Sequence, residues 1–521
     1  MQDNTVTVDT SQSPAELTFA PAFNVAVAFI DRHVDEGRGS KVAIRCADGD
    51  VTYGALAANV NRAGNALCGL GLDAGGRVVM AVKDCPAFFY IFWGAIKAGY
   101  VPVPVNTLLR ANDYQFILEN SGCAVTIYSP EFAAEMEPAL GSVEPGPQHK
   151  LNTEAFATLM HAAADTLDPV PATADDDCFW LYTSGSTGTP KGGVHAHRDM
   201  VVSSQYYGVE TLGAGEDDIH FSAAKLFFAY GLGNAMTFPL WTGGQAVLFG
   251  GRPTPDIMFE MIETYRPTLY YGVPTLYAAQ LHALEEKSPD LSSLRACVSA
   301  GEPLPANIFG RWRDKTGLLI LDGIGTTEVL HIFIGNSLDN HKAGSSGSLV
   351  PGYEARIVDD DDNPVSPGEI GNLMIRGGSI ISRYWEDPER TAKALADGWM
   401  RTGDSYYQDA DGYFVCCGRS DDMLKVGGIW VSPVEIEARL VAHDKVLESA
   451  IVGRPDDDEM IKPEAFVILK NASDASDALA GELREHCKAG LAPYKYPRWF
   501  NFVEELPKTA TGKIQRFKLR G

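Results

Sequence analysis

LYTSGSTGTPKG, residues 181–192, is the stretch whose reading decides this chain. Ser, Thr and Gly crowd together and one Lys follows. Glycines such as Gly185 and Gly188 tolerate positive φ and leave backbone N–H groups open. Thr183, Ser184, Ser186 and Thr187 add hydroxyl donors, and Lys191 adds a charge. Together they suit the β- and γ-phosphates of a nucleotide. The familiar phosphate loop needs G-x-x-x-x-G-K-[ST]. Here Pro190 stands where the second Gly would fall after Gly185, and Gly192 follows the lysine. The composition belongs to a phosphate loop, but the order does not. Apolar FWLY (179–182) before it predicts a strand, and a helix is predicted from near His197. A flexible linker would have neither neighbour.

The whole chain bounds what this loop can belong to. At 521 residues it is too long for one core, so at least two domains are expected. The net charge of −25 and pI near 4.8 argue against a nucleic-acid partner, and require any polyanion site to be locally basic. Nine cysteines show no metal or disulfide spacing and are read as reduced and mostly buried, which fits the cytoplasm. The first residues, MQDNTVTVDTSQSPAEL, lack the apolar run of a signal peptide. FFYIFWGAI (88–96) is far too short to cross a bilayer, so no membrane span is expected.

Downstream of a loose arm at 1–20, strands and helices alternate. YGALAANVNRAGNALCGLGL (53–72) sets Leu56, Val60, Ala63 and Leu67 on one helical face, closed at Gly69. RVVMAV (77–82) and YVPVPVN (100–106) read as strands around the helix CPAFFYIFWGAIKAG, with Pro86 in its first turn. Similar units recur at 245–249, 268–273, 296–301 and 318–325. The fold class is α/β: parallel or mixed sheets covered by helices. From about 345, short alternating runs and turns predict a β region, with DDDD (359–362) at a hairpin tip. A boundary near GRSDDMLKVGG (418–428) precedes about a hundred residues with their own alternation, enough for a small α+β domain.

Four further segments carry chemistry. LLILDGIGTTE (318–328) ends a strand with Asp322, Thr326, Thr327 and Glu328, where α/β sheets place ligands. Glu328 could hold Mg²⁺ bridging phosphates. WMRTGD (399–404) places Asp404 after a short strand, where it could accept ribose hydroxyls. The Gly and Asp residues of 418–428 suit a hinge. PKTATGKIQR (507–516) is a second Gly/Thr/Lys loop whose Lys513 could reach a carboxylate or phosphate.

These five segments, in this order across some 330 residues, resemble the acyl-adenylate-forming superfamily of acyl-CoA synthetases, adenylation domains and luciferases. The resemblance spans nearly the whole chain. It implies a large domain over 1–419, a mobile domain over 420–521 and a hinge at Asp421. It implies that a carboxylate attacks MgATP to give an acyl-adenylate and pyrophosphate, and that coenzyme A then displaces AMP. Lys513 would bridge carboxylate and phosphate oxygens in the first step. Thr183 to Lys191 would hold the β,γ-phosphates, Glu328 the Mg²⁺, and Asp404 with Arg419 the ribose. Gly301, Glu302 and Pro303, with Asp322, Gly323, Ile324, Gly325 and Thr326, would flank the adenine. In the second step the loop of Lys425, Gly427 and Gly428 would replace Lys513.

The family's acyl pocket maps onto Phe228, Ala229, Tyr230, Tyr271, Gly272, Ala300, His331 and Ile332, with Gly301 and Gly325. Small residues alternate with aromatics, so a flat ring could slide between them. KLFFAYGLGN and LHIF resemble the benzoate–CoA ligase branch, although many relatives carry His at the position of Phe228. No acidic residue stands where amino-acid-activating relatives bind an α-amino group. The expected substrate is a small aromatic carboxylate, with ATP and CoA. The alternatives are a medium-chain or alicyclic acyl-CoA synthetase, a module that loads a carrier protein, and a silent acyl-AMP binder. The oligomeric state is not given by the sequence, and a homodimer is one option it leaves open.

Overall fold

The computed structural model describes residues 2–184, 190–426, 429–456, 460–492, 494–508 and 514–520. Its centre is a nine-stranded sheet. Val42–Arg45, Gln245–Val247, Ile219–Ser222, Leu269–Gly272, Ala296–Ser299 and Ile320–Gly325 run parallel and adjacent in that order. Ile332–Gly335 and Ser348–Leu349 extend one edge antiparallel, and Val51–Thr52 caps the other. These strands are short, apolar runs buried on both faces, as expected under helices on either side. A second sheet, Val101–Pro104, Arg77–Ala81, Val125–Tyr128 and His149–Asn152, is all parallel. Between the two sheets, Tyr53–Cys68 and Pro86–Lys97 pack closely: a Cβ added at Gly94 would meet the Val60 carbonyl at 2.8 Å. The first of these helices is capped by Thr52, whose hydroxyl accepts the Ala55 N–H.

From 354 to 419 an antiparallel sheet follows: Glu354–Val358, Gly371–Arg376, Trp399–Gln408 and Phe414–Arg419, with Leu395–Ala396 on the edge. The smaller C-terminal domain has its own core over 424–502. There Pro433–Val441 and Asp477–Gly490 cover a sheet of Val446–Pro455, Ile461–Leu469 and Trp499–Phe502.

Three local expectations need correction. The arm at 1–20 contains an antiparallel hairpin, Val6–Asp9 with Glu16–Phe19, because VTVD and ELTF alternate and pair. The stretch after the phosphate loop, Pro190–Ala196, is a strand paired with Asp177–Ser184 before the helix His197–Ser203 begins. Asp404 does not follow a short strand but sits inside the ten-residue strand Trp399–Gln408. The acidic run 359–362 is a turn: the Asp359 carboxylate accepts the N–H groups of Asp361 and Asn363, an Asx-type lock.

Candidate active site

Three neighbouring parallel strands end side by side. Gly272 is in register with Ser299, and Ser299 with Asp322. Gly272, Ser299 and Asp322 therefore stand level at the carboxyl edge, the usual ligand edge of an α/β sheet, with Ala300 just beyond and Gly325 three residues further along its strand. The chain then doubles back, so that Gly325 faces Ile332 across an antiparallel pair. Gly301 takes φ +95° at the turn after Ala300, a conformation that a Cβ would strain.

Aromatic rings cluster at this edge. Tyr230 meets Tyr271 edge-on at 6.4 Å, and His331 lies 5.6 Å from Tyr230, 5.1 Å from Tyr207 and 4.5 Å from Phe238. Polar atoms in this wall of rings are largely committed inward. The Tyr230 hydroxyl lies 3.2 Å from the carbonyl oxygens of both Gly272 and Val298, its acceptors. The Tyr271 hydroxyl pairs with His220 Nδ1 at 2.8 Å. His331 Nε2 meets Asn234 Oδ1 at 3.1 Å, and Nδ1 has no partner among the described residues. Burial pushes His331 down to about 3, so the ring is neutral. Phe228 is half-buried against Phe227, its ring 4.2 Å away, where the wall begins.

The charged half of the site lies beside it. Arg419 Nη1 is 3.2 Å from Asp404 Oδ1, and the two residues are register partners on adjacent strands. Asp404, then Glu328, hold the Arg419 guanidinium above its ordinary value. Lys191 is drawn down, first by burial and then by Arg390, against the pull of Glu328 and Asp387. Lys191, Glu328, Asp404 and Arg419 thus feel one another in a single cluster. Tyr384 donates to Glu328 Oε1 at 2.7 Å. Among the described residues, no group of three or more His, Cys, Asp or Glu forms a metal cage. The Glu328 carboxylate, within the field of Lys191, is an oxygen donor of the kind Mg²⁺ takes.

Asp322 is enclosed, and its Oδ2 accepts the Leu304 N–H at 3.3 Å. Burial raises it to about 8. Its carboxyl therefore braces the 301–304 turn. The charge of Glu302 reaches Arg516, which is bound to Glu437 in the small domain. Asn307 also donates to the Val441 carbonyl across the two domains at 3.1 Å.

Gly185, Ser186, Thr187, Gly188, Gly427, Gly428 and Lys513 lie outside the described residues. Ser184 and Lys425 are described only as strand backbone. Sequence reading missed Tyr207, Asn234, His195 and Tyr384. Asn234 ends the stretch KLFFAYGLGN and His195 follows Gly192 and Gly193, but only the spatial neighbourhood marks any of the four for the site.

With this geometry in place, the comparisons with known proteins agree. The AMP-binding enzyme family signature matches residues 30–385, and the AMP-binding enzyme C-terminal domain matches 435–513. The chain belongs to the AMP-binding enzyme family. Among its relatives in that family, a benzoate–CoA ligase of Thauera aromatica is 46% identical over 98% of both chains. A 4-hydroxybenzoate–CoA/benzoate–CoA ligase of Rhodopseudomonas palustris is 43% identical, over 96% of this chain and 94% of that one. A solved anthranilate CoA ligase in complex with anthranoyl-AMP superposes with a TM-score of 0.93 at 41% identity, covering 96% and 97% of the two chains. Among the described residues, no helix of this AMP-binding enzyme is long and apolar enough to cross a membrane.

Proposed function

We propose that the protein is an ATP-dependent aryl-CoA ligase. It converts benzoate, or a close substituted benzoate, to the CoA thioester through an acyl-adenylate, releasing AMP and pyrophosphate. The observation that carries this reading is a cluster of aromatic rings, Tyr230, Tyr271 and His331, at the carboxyl ends of the central strands, in the same stretch of chain as Glu328 of the Lys191–Glu328–Asp404–Arg419 cluster. The rings offer faces and edges, while the Tyr230 and Tyr271 hydroxyls are used within the wall. That favours a flat, weakly polar ring over a flexible chain.

A carboxylate oxygen attacks the α-phosphorus of ATP, and the bond to the bridging oxygen breaks as pyrophosphate leaves. Both reactants are anions, so positive charge must sit on each. Thr183 to Lys191 hold the leaving phosphates, Asp404 and Arg419 the ribose, and Lys513 the reacting carboxylate and α-phosphate. Mg²⁺, when bound at Glu328, neutralises phosphate oxygens. In the second half, the CoA sulfur attacks the acyl carbon and AMP departs with the electron pair. We place the domains at 1–419 and 420–521, with the hinge at Asp421 and the Lys425–Gly428 loop serving the second step. Two chemistries in one pocket call for such a moving part. The nine free cysteines favour the cytoplasm.

The test is CoA-thioester formation by purified protein across a panel of acids. Benzoate is expected to exceed hexanoate in kcat/KM. Hexanoate ahead of benzoate by about tenfold or more, a difference of about 1.4 kcal/mol in transition-state binding, would refute the aromatic reading. Transfer to a carrier protein in place of CoA would favour the loading module.

A further inference from the structure

The strand Pro190–Ala196 carries Lys191 at its start and His195 near its end. The two-residue period of a strand puts both on one face. His195 and Asp199 are fully enclosed, at 0% and 1% exposure. His195 Nδ1 lies 2.8 Å from Asp199 Oδ2, which also accepts the Ala196 N–H at 3.0 Å. His195 Nε2 lies 2.9 Å from the Thr327 carbonyl oxygen. The ring stacks on Phe179 at 4.9 Å.

A carbonyl oxygen only accepts, so Nε2 holds a proton and donates it to Thr327. A second proton lies between Nδ1 and the Asp199 carboxyl. Whichever atom holds it, the pair has no net charge, which suits an interior site. Thr327 is the residue before Glu328, whose own carbonyl accepts the Ile381 N–H at 2.8 Å and whose carboxylate accepts from Tyr384. Tyr384 is in turn paired with Gly193, on the strand that carries Lys191. The turn Thr327–Val329 is therefore tied to that strand twice, through its main chain by His195 and through the Glu328 side chain by Tyr384.

We propose that His195, oriented by Asp199, is a positioning residue for Glu328. It fastens the 327–329 turn to the Lys191 strand and so sets the carboxylate for MgATP. A strand with an aliphatic residue at 195 would leave the Thr327 carbonyl with only the Leu330 N–H, 3.1 Å away inside the turn itself, so nothing would fasten the turn to the strand through its main chain. The inference rests on the reading of Glu328 as the Mg²⁺ residue.

Calorimetric binding of α,β-methylene-ATP to the full-length protein, with and without Mg²⁺, tests it. Mg²⁺ should tighten wild-type binding, and Glu328→Gln should remove that gain. His195→Leu should lose roughly tenfold of it, as for a lost buried hydrogen bond at a charged site. His195→Gln, whose amide N–H reaches about as far as Nε2, should keep it within about threefold. Affinity without Mg²⁺ should stay the same in the His195 variants. Should His195→Leu fail to fold, His195→Asn replaces it, because its shorter amide does not reach the Thr327 carbonyl and leaves that oxygen only the Leu330 N–H. An undiminished Mg²⁺ gain in His195→Leu, or equal loss in His195→Gln and His195→Leu, would overturn the proposal while leaving Glu328 in place. An undiminished gain in Glu328→Gln would overturn the Glu328 reading itself, and this inference with it.

Discussion

Gly233→Ala is a one-carbon probe of the aromatic wall. A Cβ on Gly233 would lie 2.3 Å from His331 Cδ2, 2.7 Å from His331 Nε2 and 3.2 Å from Phe238 Cζ. Ordinary contact begins near 3.4 Å, so the imidazole must retreat by about 1 Å. Phe238 and Tyr207, at 4.5 and 5.1 Å between ring centres, hem it in, and Asn234 holds its Nε2. Overpacking of this kind costs about 1–3 kcal/mol. If the ring moves into the acyl slot, that energy appears as a loss of roughly 5- to 150-fold in kcat/KM for benzoate. Gly233 also opens the helical segment Gly233–Thr237, where Ala is favoured over Gly by about 1 kcal/mol. A melting curve alone could therefore hide the strain. The assay is pyrophosphate release at varied benzoate and saturating ATP, then at varied ATP and saturating benzoate. The expected result is a benzoate defect with the KM for ATP unchanged. A benzoate kcat/KM within about twofold of wild type would refute the placement of His331 in the slot, since a clash of this size cannot be absorbed without moving the ring.

Lys513→Ala should abolish adenylation by about 3 kcal/mol or more and leave CoA attack on preformed acyl-AMP nearly intact; equal damage to both half-reactions counts against that division. Tyr384→Phe removes the hydroxyl from Glu328 and should raise the Mg²⁺ concentration for half-maximal activity, at a cost of about 1.5–3 kcal/mol for a hydrogen bond to a charged group; an unshifted Mg²⁺ curve contradicts the contact's role. Asp322, raised to about 8 by burial, binds its proton more tightly in the folded state than in the unfolded chain. Its contribution to stability is full below about pH 4 and is lost as pH rises towards about 8, at no more than about 1.4 kcal/mol per pH unit. Asp322→Asn should flatten that part of the urea midpoint's pH dependence, and an unchanged slope would contradict a buried, protonated carboxyl.

Much of the architecture was legible because it is local. Strands such as RVVMAV and the helix from Pro86 declare themselves by apolar run length and by Pro in the first turn, and they appear within a residue or two of their expected bounds. The nucleotide motifs are contiguous, so their order along the chain was readable too. The misreadings arose where pairing decides. PKGGVHA is too glycine-rich to announce a strand, yet Asp177–Ser184 supplies a partner for it. The hairpin at 6–19 likewise depends on cross-strand pairing that single residues do not reveal.

Sequence by itself determined that this protein handles a nucleotide and an acid, because five short motifs each hold their chemistry within a few adjacent residues. It also indicated an α/β scaffold, because hydrophobic period is a local property. Only the tertiary structure decided what surrounds that chemistry. Tyr230 turned out to spend its hydroxyl on main-chain carbonyls, and His331 to rest on Gly233, Tyr207 and Phe238. His195 reached Thr327 across 132 residues of chain. Such contacts depend on which strands lie side by side in the sheet. Strand order is set by packing of the whole core, which no local stretch encodes.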